Sequence, residues 1–470
     1  MKIDWKNALR LEQAFFREIA LQEERGFLVD WKLILDYIWD LTDKMAVIEE
    51  EVRPDLPLRC TPYPKKKKAA DPEYPYLVKP FKKNGEASSY LEAWYETLPE
   101  DIRDSVEVGG PFTRLKYEPL DLDSNQQVKD YFLSVGWVPA EWNYNKETNK
   151  VTSPKMNKDD PFLGIEGEAG QKLAQRFIYK HRRAQLEGWL KVIRKDGTIP
   201  AEITGITPTA RAKHAKVVNI PGGEGFDEDG NWLGAVYGYE MRSVFIPRKG
   251  YKIVGCDADS CQLRMLAHYM GDEAFTYAIL HGKKEEGTDV HSLNTKLAGL
   301  TERRDGKTLI YATLFGAGIA KLAAQLKCTQ KRARQIKKSL LKNLKAITVL
   351  IEGLKRTWKK RGYLMGLDGR KIYVRSEHML LVYLLQAAEA ILMKVATCYL
   401  MNWIRKEGLD AHLVAHMHDE FQLEVRDDPE TLARVMELSR KSIVKAGEFL
   451  KLGLPMGGEA KCGMNWAETH

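Results

Sequence analysis

The chain has 470 residues, 44% of them hydrophobic and 29% charged, with a formal net charge of +8. That is the composition of an ordinary soluble protein with enough chain for two to four lobes and a substantial core. No run of eighteen apolar residues occurs, so no membrane-spanning helix is expected. Met1-Lys2-Ile3-Asp4-Trp5 lacks the apolar core of a signal peptide. The six cysteines (Cys60, Cys256, Cys261, Cys328, Cys398 and Cys462) show no paired metal-ligand spacing, which argues against structural zinc and fits a reducing cytosol.

In chain order, Leu9 to Glu24 reads as an amphipathic helix, with Leu11, Ala14, Phe15 and Ile19 on or near one face. Glu24-Arg25-Gly26 ends it, and Asp30 can cap a second helix from Trp31 to about Val52. Helical patterning stops from Pro54 to Pro80, where seven prolines fall. Lys65 to Lys68, Lys79, Lys82 and Lys83 interleave there with Tyr63, Tyr74, Tyr76 and Phe81. This reads either as a solvated linker or as an aromatic and basic segment able to hold nucleic acid. Val128 to Val135 is a short helix that stops at Gly136-Trp137-Val138-Pro139, and Gly167 to Ile193 is a long basic one. Gly222 to Gly238, rich in glycine and acid, reads as a surface loop.

Tyr251-Lys252-Ile253-Val254 reads as a buried strand, which places Asp257 where a strand ends and a turn begins. Asp at a strand end is commonly turn chemistry. A second stretch changes the weighing: His418-Asp419-Glu420 follows Leu413-Val414-Ala415 and precedes the alternation of Phe421, Leu423 and Val425, a hairpin carrying acids at its turn. Between the two, Arg303, Lys307 and Tyr311 recur at i, i+4 and i+8, with Phe315 one turn later; at helical pitch the four drift through about 120° and form one stripe. Charge is concentrated just beyond, since residues 321–361 hold fourteen Lys or Arg against the single acid Glu352. A basic block beside a cleft of acids suits a polyphosphate backbone.

The Asp257, Arg303–Phe315 and Asp419 stretches resemble, in order and spacing, the three polymerase motifs of family A DNA polymerases, and the chain is most like the replicases of T-seven-like phages. The resemblance implies an α+β right-hand fold, with an antiparallel palm sheet and helical fingers and thumb. It places the thumb at residues 1–53 and 124–195, an insertion at 54–123, the palm at 196–270 and 365–470, and the fingers at 271–364. It implies template-directed DNA synthesis from dNTPs on a primer-template. Two Mg²⁺ ions about 3.5–4 Å apart would be held by Asp257, Asp419 and the Ala258 carbonyl, with Glu420 supporting. Arg303, Lys307 and His291 would hold the triphosphate, Tyr311 would lie near the sugar, and Phe315 near the templating base. Arg211, Arg242, Arg370, Gln386 and His418 would face DNA. At the position of Gln262 most of the family carries Glu, whose bulk blocks a ribose 2′-hydroxyl and whose charge accepts from a tyrosine; here the facing ring is Phe315. Ala210, in Thr209-Ala210-Arg211, stands where the family has Gly.

The resemblance further implies a thioredoxin-like processivity partner at the insertion and action in the host cytoplasm, away from membranes. It leads us to expect no intrinsic exonuclease, with proofreading left to a separate exonuclease subunit. A single-subunit RNA polymerase and an inactive DNA-binding processivity protein are the competing readings.

Overall fold

The structure is a computed structural model that describes residues 5–62, 77–113, 115–145, 147–148, 150–156, 160, 162–222 and 235–470. Tyr63, Lys65 to Lys68, Tyr74, Tyr76 and most of the Gly222–Gly238 segment lie outside the described residues. The chain forms two compact units, Met1–Thr42 with Lys180–His470, and Asp43–Tyr179.

Helix α1 (Trp5–Arg25) buries Phe15 and Ile19. Helix α2 (Trp31–Val52) starts where Asp30 was expected to cap it: its Oδ1 accepts from the backbone N–H of Lys32 at 3.1 Å and of Leu33 at 3.0 Å. Helix α3 (Glu168–Leu190) is the long basic segment. The boundary between the units falls inside α2 and at Tyr179–Lys180 of α3.

The smaller unit holds the folded part of the insertion. Arg59–Pro62 pairs antiparallel with Leu115–Glu118, and Leu77–Val78 with Phe112–Thr113. Leu91, Trp94 and Leu98 form a small core with Tyr95, Val106, Val108 and Tyr117, and Trp94 Nε1 donates to the Leu115 carbonyl at 2.8 Å. The proline and lysine content of 54–80 suggested a linker; the aromatic residues downstream of it supply enough apolar surface for a core.

The larger unit is built on a four-stranded antiparallel sheet. Strand β1 (Tyr251–Ala258) lies inside it and leads into helix α4 (Cys261–Met270). Helix α5 (Val290–Ala298) packs on helix α6 (Arg303–Leu314), and helices α7 (Gln330–Asn343) and α8 (Lys345–Arg361) carry most of the basic block. Helix α9 (Leu380–Glu407) precedes a hairpin of β2 (Ala411–Met417) and β3 (Glu420–Arg426); helix α10 (Pro429–Phe449) and strand β4 (Gly458–Gly463) follow. The sheet order is β2-β3-β1-β4.

Helix α9 organises the core. With neither Gly nor Pro between Leu380 and Glu407, it runs for 28 residues until Gly408 takes the left-handed conformation at φ +66. By length and composition it could cross a bilayer, although Glu389 and Lys394 interrupt its apolar run. The most apolar part of it is 83% buried inside the protein, as a central core helix must be. Its two buried charges are met from other elements. Lys394 Nζ donates to Glu12 of α1 at 2.6 Å, and Glu389 pairs with Arg211. Arg405, near its end, pairs with Glu18 at 2.7 Å. Helix α1 packs on α9 and β2 through Phe15 and Ile19.

Gly306 lies buried inside α6. A Cβ there would lie 2.1 Å from Thr295 Oγ1 and 2.7 Å from the His291 carbonyl, so the neighbour is the backbone of α5. Gly306→Ala should gain about 1 kcal/mol of helix propensity and lose about 1–3 kcal/mol to overpacking. The expected net result is faster amide hydrogen exchange in α5 and α6; unchanged protection would show that the two helices can move apart freely.

Candidate nucleotidyl-transfer site

The sheet brings the acids together. Asp257, at the end of β1, is paired in register with Glu420 on one side and Glu459 on the other. The Ala258 N–H donates to the Asp419 carbonyl at 2.9 Å, which ties the β1 end to the β2–β3 turn. His418, in that turn, sits at φ +50, and Ser260, just after Asp257, at φ +45. Two side-chain-bearing residues in the left-handed region flank the acids, a conformation disfavoured unless the surroundings hold it.

Asp257 and Asp419 offer their carboxylates to the cleft. Burial by the surrounding walls, then the negative charges of Asp419, Glu420 and Asp259, hold the Asp257 carboxyl above the usual carboxylate range. Burial and the Glu420 charge also raise Asp419, against its own backbone N–H and Arg211. Asp257 is solvent-exposed by surface area, so water tempers this repulsion without removing it. Acids crowded in this way favour a bound cation. Among the described residues no three His, Cys, Asp or Glu side chains converge into a metal cage. The donor set is two carboxylates and nearby backbone oxygens, which fits Mg²⁺ completing its shell with phosphate and water.

Glu420 faces inward. It is 6% exposed, and Oε1 accepts from Trp466 Nε1 at 2.6 Å and from Gln422, while Oε2 lies 3.1 Å from His470 Nδ1. Burial would raise its pKa, but His470, Arg242 and Trp466 bring it below the usual value. Glu420 therefore braces the wall behind Asp257 and Asp419.

Along α6 the predicted stripe divides. Lys307, Tyr311 and Phe315 line a cavity of about 510 Å³ with Arg304, Thr308 and Lys321. Tyr311 stacks on Phe315 with ring centres 6.1 Å apart, and His291, buried, lies 5.9 Å from the Tyr311 ring. Burial, then the charges of Asp419 and Asp257, push the Tyr311 hydroxyl up to about 12, which places this end of α6 beside the acids. Arg303 is held elsewhere: Nε lies 3.1 Å from both oxygens of Asp289 and Nη2 2.5 Å from Oδ2. Asp289 engages Nε and Nη2 only, which leaves Arg303 Nη1 outside that ion pair.

The residues expected to face DNA are mostly committed within the protein. Arg242 is 5% exposed, donates to the Pro221 carbonyl and lies 5.7 Å from the Trp466 ring centre. Arg370 is clamped by Asp368 at 2.6 Å and Glu12 at 2.7 Å. Arg211 pairs with Glu389. Each cation lies where a buried or half-buried carboxylate or carbonyl must be satisfied, and that demand is invisible along the sequence. Gln386 is half-buried on α9. His418 is exposed by surface area and stands edge-on to His214 at 5.0 Å; the protein atoms crowded around its ring, then the Arg211 charge, lower its pKa to about 4, which leaves it neutral near pH 7. Ala210 adopts φ +61, the conformation glycine takes without strain. Gln262 is buried beside Glu389, a residue the sequence reading passed over although a lone acid in an apolar helix was a usable signal. A larger cavity of about 980 Å³, lined by Leu11, Tyr269, Tyr399 and Phe449 among others, contains none of the predicted site residues.

A palm-type sheet with acids at its strand ends, facing a helix that lines a cavity with lysine and stacked rings, defines a right-hand polymerase. A family model described as DNA polymerase family A matches residues 107–468, and the chain belongs to that family. It is 27% identical over 490 residues to a DNA-directed DNA polymerase of Escherichia phage Phieco32, covering 84% of this chain and 77% of that protein. It is 28% identical over 501 residues to the DNA-directed DNA polymerase of Escherichia phage T7, covering 96% and 68%. The corresponding protein of Enterobacteria phage T3 is 29% identical over 405 residues, with 79% of this chain and 55% of that protein covered. The fold is similar, at TM-score 0.68 and 19% identity, to a solved structure titled "POL domain of Pol1 from M. smegmatis complex with DNA primer-template and dNTP"; the match covers 98% of this chain and 70% of that one.

Proposed function

We propose that this chain adds deoxynucleotides to a primer 3′-hydroxyl under the direction of a template, with Asp257 and Asp419 holding two Mg²⁺ ions. The observation that carries the reading is the 2.9 Å bond from the Ala258 N–H to the Asp419 carbonyl, which fixes the two open carboxylates at one cleft floor. When bound, the ions lower the pKa of the primer hydroxyl and stabilise the leaving pyrophosphate. Lys307 steadies the phosphates as a point charge. Tyr311 and Phe315 offer a stacked apolar wall to sugar and base. The basic faces of α7 and α8 suit the nucleic-acid backbone. Primer extension with dNTPs and NTPs in parallel, with Mg²⁺ and with chelator, tests this. Extension only with dNTPs and Mg²⁺ is expected; equal use of NTPs supports the RNA-polymerase reading, and no extension the inactive one.

Gln262 acts as the sugar gate. Its volume nearly equals that of Glu, and Phe315 has no hydroxyl to require a charged acceptor. Gln262→Ala should raise the use of CTP relative to dCTP by roughly ten- to a hundredfold, the range available to a contact worth about 1–3 kcal/mol. An unchanged ratio would remove Gln262 from the gate.

The insertion serves as a processivity segment that recruits a thioredoxin-like partner. Arg59 and Glu118 are register partners, so a short linker can replace residues 59–118 without pulling on the helices outside. The expected product is an enzyme with shorter extension per binding event, measured with a competitor trap and thioredoxin present, and nearly intact single-nucleotide addition. Equal product lengths for both proteins would show that the segment is no clamp.

A further inference from the structure

Glu389 is a fully buried carboxylate in the middle of an apolar helix, and its surroundings belong to the reaction site. Oε1 accepts from Arg211 Nη2. The Gln262 side chain reaches the carboxylate closely enough to lower its proton affinity, yet Oε2 has no aligned hydrogen-bond partner. Its charge is felt at Asp419's side of the cleft, at Tyr311 and at Cys261. Thus one carboxylate stands between the β1–α4 segment that carries Gln262, the α6 ring that faces the sugar, and the metal-binding turn.

A buried carboxylate costs several kcal/mol unless paired and hydrogen-bonded. Arg211 supplies a single N–H and leaves its own Nε without a partner, so the ion pair is incompletely satisfied. Packing alone gives no reason for a charge here, since the flanking positions Ala387, Ala388, Ala390 and Ile391 are all buried and apolar. Gln262 has the complementary need. Its side chain is 9% exposed, its helix α4 packs against α9, and its amide nitrogen can only donate.

We propose that Glu389 is a positioning residue for sugar selection: its Oε2 accepts from the Gln262 amide and holds that side chain against the nucleotide's C2′ edge, with Arg211 fixing the carboxylate from the other side. This rests on the reading of Gln262 as the gate. Without Glu389 the Gln262 side chain is free to turn among rotamers, and the space reserved against a 2′-hydroxyl opens part of the time.

The test is competition between dCTP and CTP in primer extension for Glu389→Leu, Glu389→Gln, Gln262→Ala and the double variant Glu389→Leu/Gln262→Ala. Because the readout is a ratio of two substrates on one enzyme, a general loss of folded protein cancels. Glu389→Leu should raise the CTP/dCTP ratio of kcat/KM at least about tenfold, mainly through a lower KM for CTP. Glu389→Gln keeps an acceptor and should retain more of the selectivity. If the double variant is no more permissive than Gln262→Ala, the two residues act through one device. A permissive Gln262→Ala beside an unchanged Glu389→Leu would overturn the role of Glu389 and leave the gate standing. An unchanged Gln262→Ala would overturn the gate itself. Should Glu389→Leu fail to fold, Glu389→Ala decides: a CTP/dCTP ratio identical to that of the unaltered enzyme overturns the proposal, and a ratio raised toward that of Gln262→Ala supports it.

Discussion

Asp257→Asn and Asp419→Asn should each lower single-nucleotide addition by roughly a thousandfold or more, the loss expected when a charge that stabilises the transition state through a metal is removed. The two carboxylates are the open acids at the cleft floor; burial and then the Asp419 charge raise the affinity of Asp257 for a proton or a cation, and burial and the Glu420 charge raise that of Asp419. Neutralising either one removes both a ligand and half of that demand. Duplex binding, read by fluorescence anisotropy, should survive, since phosphate contacts elsewhere supply most of it. Glu420→Gln should be milder, because an amide oxygen can still accept from Trp466. Either aspartate variant extending primers near the normal rate would end the two-metal assignment.

Lys307→Ala should reduce kcat/KM for dNTPs by roughly 10²–10³, chiefly through a higher KM, with primer-template affinity little changed. The cavity beneath α6 is lined by Lys307, Arg304 and Lys321, together with Tyr311 and Phe315. Arg303, the other cation of the predicted stripe, is occupied by Asp289, whose carboxyl it holds well below the ordinary range despite partial burial. On the proposed reading Lys307, which lines the cavity itself, would meet the triphosphate more directly than Arg303. Arg303→Ala should cost less in nucleotide binding and more in the stability of α5 and α6, because Asp289 also caps α5 through the Ser292 N–H at 3.1 Å. Equal losses of KM in the two variants, with unchanged fingers stability, would restore the shared clamp.

Several features were legible in the order of residues alone. Strand and turn patterning placed Asp257 and Asp419 at the ends of elements, because period-two alternation and turn chemistry are local. The cap at Asp30, the span of α2 and the spacing of Lys307, Tyr311 and Phe315 on one helix are local in the same sense. So was the alternation that made β2 and β3 a hairpin. Other features depended on which elements meet. Nothing near Arg303 in sequence announces Asp289, 14 residues away across a helix junction. Nothing near Arg211 announces Glu389, 178 residues on. Arg242 and Arg370 were expected to face DNA; the tertiary structure pairs them with Pro221, Asp368 and Glu12, since buried acceptors must find donors wherever the fold brings them. The same holds for α1, which packs on α9: its apolar face was visible, but its partner was not. The sequence by itself determined the acids, the basic helices and the hairpin, because each is set within a few residues. Only the tertiary structure decided which cations pair with protein carboxylates and which carboxylate stands behind Gln262, because those depend on pairings between residues far apart in the chain.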